Sequence, residues 1–458
     1  MKKKFTLLLL LVTIVINAQC WKTIANGYHH SIGIKSDGTL WTWGNNASGQ
    51  LGDGTLIDKR IPVQLGVDAD WETVSAAGLG SLAVKTNGTL WAWGYNVNGT
   101  LGTGTTNTVL TPMQVGTDTN WKTITGSYYV TFGIKTDGTL WGWGINSYGE
   151  LGNGTTSPSM VPVQIGQDTD WKSIAVNTDV TFGLKNDGKL YGWGKPNYGQ
   201  FNSGSTPNVS LTPIRIGLDS DWNSIAAGEF HIMALKNTGV LWGWGSNFYG
   251  QVGAYPFQAQ FSSPVRVTDA TDWVSVFAGN EDSFAIKSDG TLWAWGRNRF
   301  GELGGGVNYT IHFPMLIGTD TDWQFITNGF RHTLGLKANG DLWAMGTNTF
   351  GMFGNGTLNN SFAPIAVDCN PVLSTPEVLA KDDLKMYPNP VKGYFKLESD
   401  TALDVLSVAV YNSLGQLVKT DQSSGNHQTF DVSELNTGIY FLKINTSLGM
   451  INRTFVKE

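Results

Sequence analysis

The chain has 458 residues, more than one ordinary hydrophobic core holds and enough for a large repeat domain with a smaller one. Its 36 acidic residues outnumber its 30 basic ones, and no Lys/Arg cluster follows the first four residues, which argues against a nucleic-acid partner. Apolar residues make up 41% of the chain, and the 58 glycines show no three-residue period. These features exclude a disordered or collagen-like chain and indicate a turn-rich globular protein.

The N-terminus has the zones of a secretory leader. Three lysines at 2–4 precede an apolar run from Phe5 to Ile16 and a short stretch that ends at Gln19, so we place a signal peptide at residues 1–18. This run is too short to cross a bilayer and no later segment is long enough, so we expect export without a membrane span. Gln19 stands where a lipidated Cys20 would need a small residue, which disfavours a lipoprotein.

One unit of 50 or 51 residues recurs seven times. Each unit opens on a tryptophan: Trp21, Trp71, Trp121, Trp171, Trp222, Trp273 and Trp323. Fourteen residues later comes a lysine: Lys35, Lys85, Lys135, Lys185, Lys236, Lys287 and Lys337. A second aromatic motif follows, of which Trp41-Thr-Trp43-Gly44 is the first copy, and the two motifs contain all 19 tryptophans. The absence of tryptophan from the tail therefore marks a domain boundary near residue 370.

Each unit reads as four short strands separated by turns. Asp-Gly or Asn-Gly pairs recur between the second and third strands, as at 37–38 and 87–88, and such pairs favour tight hairpins. Four strands cannot bury both faces alone, whereas seven such units can close radially. We therefore predict an all-β fold with a seven-bladed β-propeller at residues 19–369. Its tryptophans are expected to pack between blades, with carbohydrate stacking as the less favoured alternative.

The same residues carry a family resemblance. The first unit contains Gly27, His30, Lys35, Asp37-Gly38 and Trp43-Gly44, followed by Asn46, Gly49, Leu51-Gly52 and Gly54. This pattern resembles the regulator of chromosome condensation repeat, whose members are seven-bladed propellers. The resemblance covers about residues 20–368. It weakens at 200–204 and 251–255, where the Leu-Gly-x-Gly turn is replaced.

A linker at 370–384 leads to a different module at 385–458, which alternates apolar segments with Gly-containing turns and predicts a small β-sandwich. The module resembles the C-terminal sorting domain that the type IX secretion system of Bacteroidetes reads. The resemblance implies that this machinery is a partner and that the protein reaches the cell surface or the medium after export to the periplasm. The residues that carry it are Tyr387, Pro388, Asn389, Pro390, Gly438 and Tyr440.

The only two cysteines flank the repeats. Cys20 precedes the first unit and Cys369 follows the seventh, and a closed ring brings its ends together. Because an exported protein meets an oxidising environment, we expect a disulfide that clasps the ring, with two separate thiols as the alternative.

Signs of chemistry are weak. Aspartate pairs precede most units, as at Asp68/Asp70 and Asp168/Asp170, and we expect turn chemistry there in preference to calcium binding. His30, His231 and His332 share one repeat position, which favours packing or backbone hydrogen bonding over a unique catalytic base. No metal, phosphate-loop or nucleophile-elbow motif is present, so we assign no catalytic residue, metal or cofactor.

Function should lie where the repeats differ. The most variable stretch lies between the first and second strands, where loops would surround one face. The predicted ligand-binding residues there are Tyr28, His29, Tyr128, Tyr129, Asp179, Glu229, Phe230, Glu281, Phe330 and Arg331. A second aromatic position, at Tyr148, Tyr198, Tyr249, Phe300 and Phe350, is interpreted as framework.

These observations predict a monomeric binding protein, secreted or at the cell surface, whose ligand is a protein or a glycan. A hydrolase or lyase acting on polysaccharide or peptide from the central funnel remains an alternative. Guanine nucleotide exchange-like activity, suggested by the family's best-known member, is less favoured because of export, negative charge and uniform repeat spacing.

Overall fold

A computed structural model describes residues 20–201, 209–368, 384–399, 405–412, 416–421, 427–446 and 449–458. The predicted signal peptide, most of the predicted linker and Cys369 lie outside these residues, so the expected Cys20–Cys369 disulfide stays a prediction. The chain divides into two compact units, residues 1–369 and 370–458. Within the described residues, no helix is long and apolar enough to cross a membrane.

The first unit consists of seven antiparallel sheets, each made of four consecutive strands in sequence order. Blades one and two contain β1 Trp21–Asn26, β2 His30–Lys35, β3 Leu40–Gly44, β4 Lys59–Gln64, β5 Trp71–Ala77, β6 Gly80–Lys85, β7 Leu90–Gly94 and β8 Val109–Gln114. Blades three and four contain β9 Trp121–Gly126, β10 Val130–Lys135, β11 Leu140–Gly144, β12 Ser159–Gln164, β13 Trp171–Val176, β14 Val180–Lys185, β15 Leu190–Gly194 and β16 Ser210–Arg215. Blades five to seven contain β17 Trp222–Ala227, β18 His231–Lys236, β19 Leu241–Ser246, β20 Gln260–Arg266, β21 Trp273–Ala278, β22 Asp282–Lys287, β23 Leu292–Gly296, β24 Ile311–Leu316, β25 Trp323–Asn328, β26 His332–Lys337, β27 Leu342–Gly346 and β28 Ser361–Val367.

The seven blades form a closed ring. The first strands of consecutive blades contact one another, and β1 also contacts β25 of blade seven. At this seam Trp21 N donates to Gly340 O at 3.2 Å, and Asn26 N donates to Thr327 Oγ1 at 3.1 Å. The prediction of an all-β seven-bladed propeller is confirmed.

Neighbouring blades are joined through one backbone carbonyl. In blade four, Trp193 Nε1 and Thr181 Oγ1 both donate to Glu150 O of blade three, at 2.8 and 2.9 Å. A buried carbonyl has two lone pairs, and here both are satisfied by side chains of the next blade. The fully buried indoles that bond in this way are Trp43, Trp93, Trp143, Trp193, Trp244 and Trp295. The expected packing role of these tryptophans is confirmed.

The two irregular turns keep the buried contacts. Phe201 and Val252 take the place of the usual leucine and are buried, at 2% and 0% exposure. Gln200 O still accepts the Trp244 indole hydrogen at 2.7 Å. The departures from the repeat therefore leave the joint between the blades intact.

The second unit contains β29 Leu384–Tyr387, β30 Tyr394–Ser399, β31 Val405–Tyr411, β32 Leu417–Asp421, β33 His427–Asp431, β34 Gly438–Thr446 and β35 Gly449–Lys457. These strands form a three-stranded sheet in the order β29-β30-β33 and a four-stranded sheet in the order β32-β31-β34-β35. Both sheets contribute to one apolar core, in which Phe395 lies 5.3 Å from Phe430 and from Phe455 between ring centroids. The unit is a small β-sandwich.

The joint between blades predicts the effect of Thr181→Val. This change keeps the side-chain shape and removes one of the two donors to Glu150 O, so the free energy of unfolding should fall by about 1 kcal/mol. Urea denaturation followed by tryptophan fluorescence measures it. Thr123→Val, on an exposed strand position, is the control and should leave the midpoint unchanged. Equal midpoints for both variants would show that the hydroxyl bond adds nothing to stability.

Candidate ligand-binding face

The predicted binding residues lie on one end of the ring, which we call the axial face. Each follows the first strand of its blade, in the loop that leads to the second strand. Seven such loops surround the ring axis. The structure therefore gathers side chains that are as far as 303 residues apart in sequence, from Tyr28 to Arg331.

Four aromatic rings form a chain across this face. Tyr128 stacks on Tyr28 with centroids 5.4 Å apart and on Tyr95 at 5.9 Å, and Tyr28 meets Phe330 at 5.9 Å. We call these four residues the aromatic chain. Tyr129 packs edge-on against Tyr128 at 4.9 Å and extends it.

The aromatic chain depends on a glycine in blade two. Gly78 stands where blades one and three carry Tyr28 and Tyr128, and Gly78 O accepts the Tyr28 backbone hydrogen at 2.8 Å. A Cβ at Gly78 would lie 2.5 Å from the Tyr128 ring, and its φ of +62° also disfavours a side chain. Because blade two contributes no side chain here, tyrosines of blades one and three meet across it.

Arg331 forms a cationic edge of the face. Its guanidinium lies 4.5 Å from the Phe330 ring and 4.4 Å from the Phe300 ring, and its Nε is buried without a hydrogen-bond partner. Its φ of 73° is the one positive value of a non-glycine residue in the described ranges. Such strain is common at functional sites. The neighbouring Arg331 charge, after burial, lowers the pKa of His29.

Blades four to six supply an acidic sector, which consists of Asp179, Glu229 and Glu281. Glu281 forms an ion pair with Arg297, and Asp179 Oδ2 accepts from Asn197 Nδ2 at 2.8 Å. Burial and then the charge of Glu281 raise the pKa of Glu229. The face is thus aromatic and basic on one side and acidic on the other.

A cavity of about 160 Å³ lies on the ring axis beneath these loops. All seven blades line this axial cavity, and Tyr28, Tyr128 and Glu229 are among its lining residues. Burial and the charge of Glu229 raise the pKa of Tyr28 to about 12. Of the other predicted residues, His29, Tyr129, Asp179, Phe230, Glu281, Phe330 and Arg331 are not part of the cavity lining and belong to the rim.

Sequence reasoning missed a second set of aromatic residues on this face. Phe350 lies 5.3 Å from His29, Tyr198 lies 5.1 Å from Phe230, and Phe300 covers Arg331. Each of these aromatic residues belongs to the blade before the blade of its partner. The second set of aromatic residues and the axial loops therefore contact one another across the boundaries between blades. We interpreted this position as framework because an aromatic residue recurs in five consecutive blades. That recurrence was in fact the signal of a continuous surface.

The three histidines at the shared repeat position are buried packing residues. His30 Nε2 lies 2.8 Å from Ser81 Oγ, which donates its hydrogen to Gln50 O. The imidazole therefore donates to the serine, and His231 Nε2 lies 2.8 Å from Ser283 Oγ in the same way. The expectation was packing or a backbone hydrogen bond, and these two rings bond to a side chain instead, while the His332 ring nitrogens are buried without a hydrogen-bond partner among the described residues. A Cβ at Gly27 would lie 2.1 Å from the His30 ring, and Gly228 and Gly329 have the same relation to His231 and His332. Histidine at this position therefore requires glycine three residues before it.

The aspartate pairs have a role that the sequence did not reveal. Asp168 and Asp170 both bind Lys185 Nζ at 2.9 Å, and the ammonium lies 5.1 Å from the Trp171 ring and 5.0 Å from the Tyr191 ring. Burial alone would lower the pKa of Lys185, but the two carboxylates raise it. The interpretation as turn chemistry is corrected: the pairs hold the repeated lysine against its aromatic partners. In the described parts of the chain, no group of three or more His, Cys, Asp or Glu is placed to hold a metal ion.

Three of the predicted sorting-motif residues form side-chain hydrogen bonds within the second unit. Asn389 Oδ1 accepts from Val456 N at 2.9 Å, which joins the start of the unit to its last strand. Tyr440 is buried, and its hydroxyl donates to Asn436 O at 2.9 Å. Tyr387 is exposed and its hydroxyl donates to Glu398.

The fold and this face define a class, namely a closed propeller of seven four-stranded repeats with a variable axial surface. The chain belongs to the RCC1-like domain family, which matches residues 124–393. Individual repeats of the regulator of chromosome condensation match residues 21–50, 37–84 and 87–134. Residues 385–458 match a secretion system C-terminal sorting domain, the type IX sorting domain that the motif indicated, so the protein is exported to the cell surface or secreted.

Known proteins resemble parts of this chain. The ultraviolet-B receptor UVR8 of Arabidopsis thaliana is 38% identical over 96 residues, which is 21% of this chain and 22% of the receptor. The human probable E3 ubiquitin-protein ligase HERC4 is 34% identical over 82 residues, which is 18% of this chain and 8% of the ligase. The chain therefore matches less than a quarter of either relative.

Solved structures show the same fold. Prp20p of Saccharomyces cerevisiae, described with its binding properties to Gsp1p and histones, has a TM-score of 0.66 at 20% identity and covers 77% of this chain and 89% of its own. Human WBSCR16 has a TM-score of 0.65 at 21% identity and covers 72% of this chain and 94% of its own. At these identities the likeness concerns the fold alone.

The buried histidines predict acid sensitivity. The pKa of His231 is lowered by burial to about 3, whereas the unfolded residue binds a proton near pH 6.5. The unfolded state therefore gains the proton first, and stability falls as the pH drops from 6.5 towards 3, by about 1.4 kcal/mol per pH unit for each such histidine. His231→Val, the residue that blades three and four carry at this position, should flatten this slope in urea unfolding between pH 7 and 4. The exposed His312→Val should keep the wild-type slope, and an equal slope in His231→Val would contradict the assignment.

Proposed function

We propose that this protein is a non-enzymatic binding propeller of the cell surface or the medium, whose axial face holds a protein or glycan ligand. The observation that carries the proposal is the contrast between the framework and this face. The hydrogen bonds between blades recur around the ring, and so do the contacts of the repeated lysine with its aspartates and aromatic rings. The axial loops, in contrast, carry a different side chain in almost every blade.

The chemistry of the face supports recognition. The aromatic chain offers one phenylalanine ring and three tyrosine rings, and the tyrosines add polar hydroxyl groups. This composition is enriched in binding surfaces. Arg331 on one side and the acidic sector on the other give the face a direction, which suits a ligand that binds in one orientation.

The proposed route to this location has two further parts. The signal peptide at 1–18 would take the chain to the periplasm, and the sorting domain would direct it through the type IX machinery of a Bacteroidetes cell. A Cys20–Cys369 disulfide would then clasp the ring beside the seam between blades one and seven. Cys20 is buried in the apolar cluster of that seam, together with Trp21 and Phe353, which supports this placement.

The binding proposal predicts loss of ligand capture in a rim variant. Full-length protein with Tyr129→Ser, Phe230→Ser and Phe330→Ser should lose at least about tenfold in affinity, because truncating two or more hot-spot side chains typically costs over 2 kcal/mol. A glycan array and capture from the cell envelope would identify the ligand. Calorimetry with that purified ligand would then compare the proteins.

The matched control replaces three exposed aromatic residues outside the axial loops, Tyr255→Ser, Tyr309→Ser and Phe313→Ser. It should bind like the wild type. Equal binding by the rim variant would place the ligand elsewhere, and turnover of a captured polysaccharide or peptide would favour the hydrolase or lyase alternative.

The sorting domain predicts the route of export. Deleting residues 385–458 should leave the propeller in the periplasm, where fractionation and immunoblotting would find it. Tyr255→Ser in the full chain should still reach the surface or the medium. Surface arrival of the truncated protein would show that another segment directs export.

A further inference from the structure

Two asparagines in the axial cavity have buried amide atoms without hydrogen-bond partners. Asn26 and Asn177 line the cavity and are 8% and 6% exposed. Asn26 Oδ1 and Asn177 Nδ2 have no partner, although a buried polar atom left unpaired destabilises the folded state. Because both residues line the cavity, a group that enters it can form hydrogen bonds with these atoms.

Neighbouring bonds fix the orientation of these amides. Asn26 Nδ2 donates to Thr327 O at 3.0 Å, so exchanging its amide atoms would place oxygen against oxygen. Asn177 Oδ1 accepts from the backbone of Asp179 at 3.2 Å and of Val180 at 2.8 Å, so exchange would place donors against donors. Asn26 thus offers an acceptor and Asn177 a donor.

Glu229 also lines the cavity and carries a negative charge. Among the residues that the structure describes, no cation forms an ion pair with Glu229, while Arg297 pairs with Glu281. Asp179 and Glu281 both raise its pKa and Arg297 lowers it, so like charges outnumber opposite ones around it. A negative potential in a low-dielectric cavity attracts a cation.

Cavity size limits what that cation can be. A volume of about 160 Å³ equals that of about five water molecules in the liquid and is close to an engineered cavity that takes benzene. It accommodates one ammonium group with a short alkyl stem.

We propose that the axial cavity is a binding site for an alkylammonium group. Glu229 is its counter-ion, Asn26 Oδ1 accepts a second ammonium hydrogen, and Asn177 Nδ2 donates to a water or ligand oxygen that enters with it. The group belongs either to a free amine or to a lysine side chain that a bound partner inserts. The inference deepens the proposed binding function and rests on it, because the same face presents both sites.

Calorimetry of the full-length protein with propylammonium and with propan-1-ol tests the charge requirement. Propylammonium should bind and propan-1-ol should not. Glu229→Gln should weaken propylammonium binding by about tenfold or more, which is about 1.4 kcal/mol, since the ammonium loses its charged hydrogen-bond partner. Burial and the charge of Glu281 disfavour the Glu229 carboxylate, and its backbone N still bonds to Asn280 O in the variant, so the unfolding midpoint should not fall and lost binding would not reflect unfolding. Glu72→Gln, an exposed residue paired with Lys22, is the charge-matched control and should bind like the wild type.

A pair of peptides distinguishes the sources of the group. Gly-Gly-Lys-Gly-Gly binding that is lost on lysine acetylation indicates an inserted side chain, whereas binding of propylammonium alone indicates a free amine. No binding of either, or equal binding by Glu229→Gln, would overturn the proposal. The rim variant has an intact cavity lining and should keep propylammonium binding while it loses ligand capture. Unchanged capture by the rim variant, with amine binding retained, would refute only the proposed function. Capture by the wild type that the rim variant loses as expected, without propylammonium binding to either protein, would refute only this inference.

Discussion

The propeller depends on a bond between each blade and the next, in which one backbone carbonyl accepts from a buried indole and a hydroxyl. Glu150 O, bound by Trp193 and Thr181, shows the arrangement in full. Each bond joins a loop of one blade to two strands of its neighbour, so it fixes the angle between blades as well as their distance. Neighbouring sheets could slide if they met through apolar contacts alone, because such contacts are not directional. The directional bonds give the ring one geometry.

The bond tolerates partial replacement. Blade five has Ile232 in the hydroxyl position and keeps its indole, and blade seven has Met345 in the indole position and keeps Thr333. Each carbonyl therefore retains at least one directional partner. The seam between blades one and seven uses both donors, Trp43 and Ser31, on Met352 O. Ring closure thus uses the same two kinds of donor as the joints that blades two, three, four and six make.

The sequence was sufficient to predict the fold because its signals are local and repeated. Tryptophan spacing, Asn-Gly turns and the 50-residue period each report on one blade, and seven copies remove ambiguity. The role of the aspartate pairs was missed because Asp168 and Lys185 meet only after the strands pair, and short-range turn chemistry explained the same residues equally well. The candidate face was predicted in part: the loops were identified from their variability. The aromatic chain was not, since contact between Tyr28 and Tyr128 depends on the missing side chain of Gly78.

Each blade is made of four consecutive strands, and no blade draws strands from both ends of the chain. The structural boundary between blades therefore coincides with the boundary of the sequence repeat. A gene duplication or deletion of one repeat would add or remove a whole blade and leave every hydrogen bond within the remaining blades intact. The fixed angle between blades opposes such a change of number. Exchange of one repeat for another would keep the ring closed and replace a single axial loop.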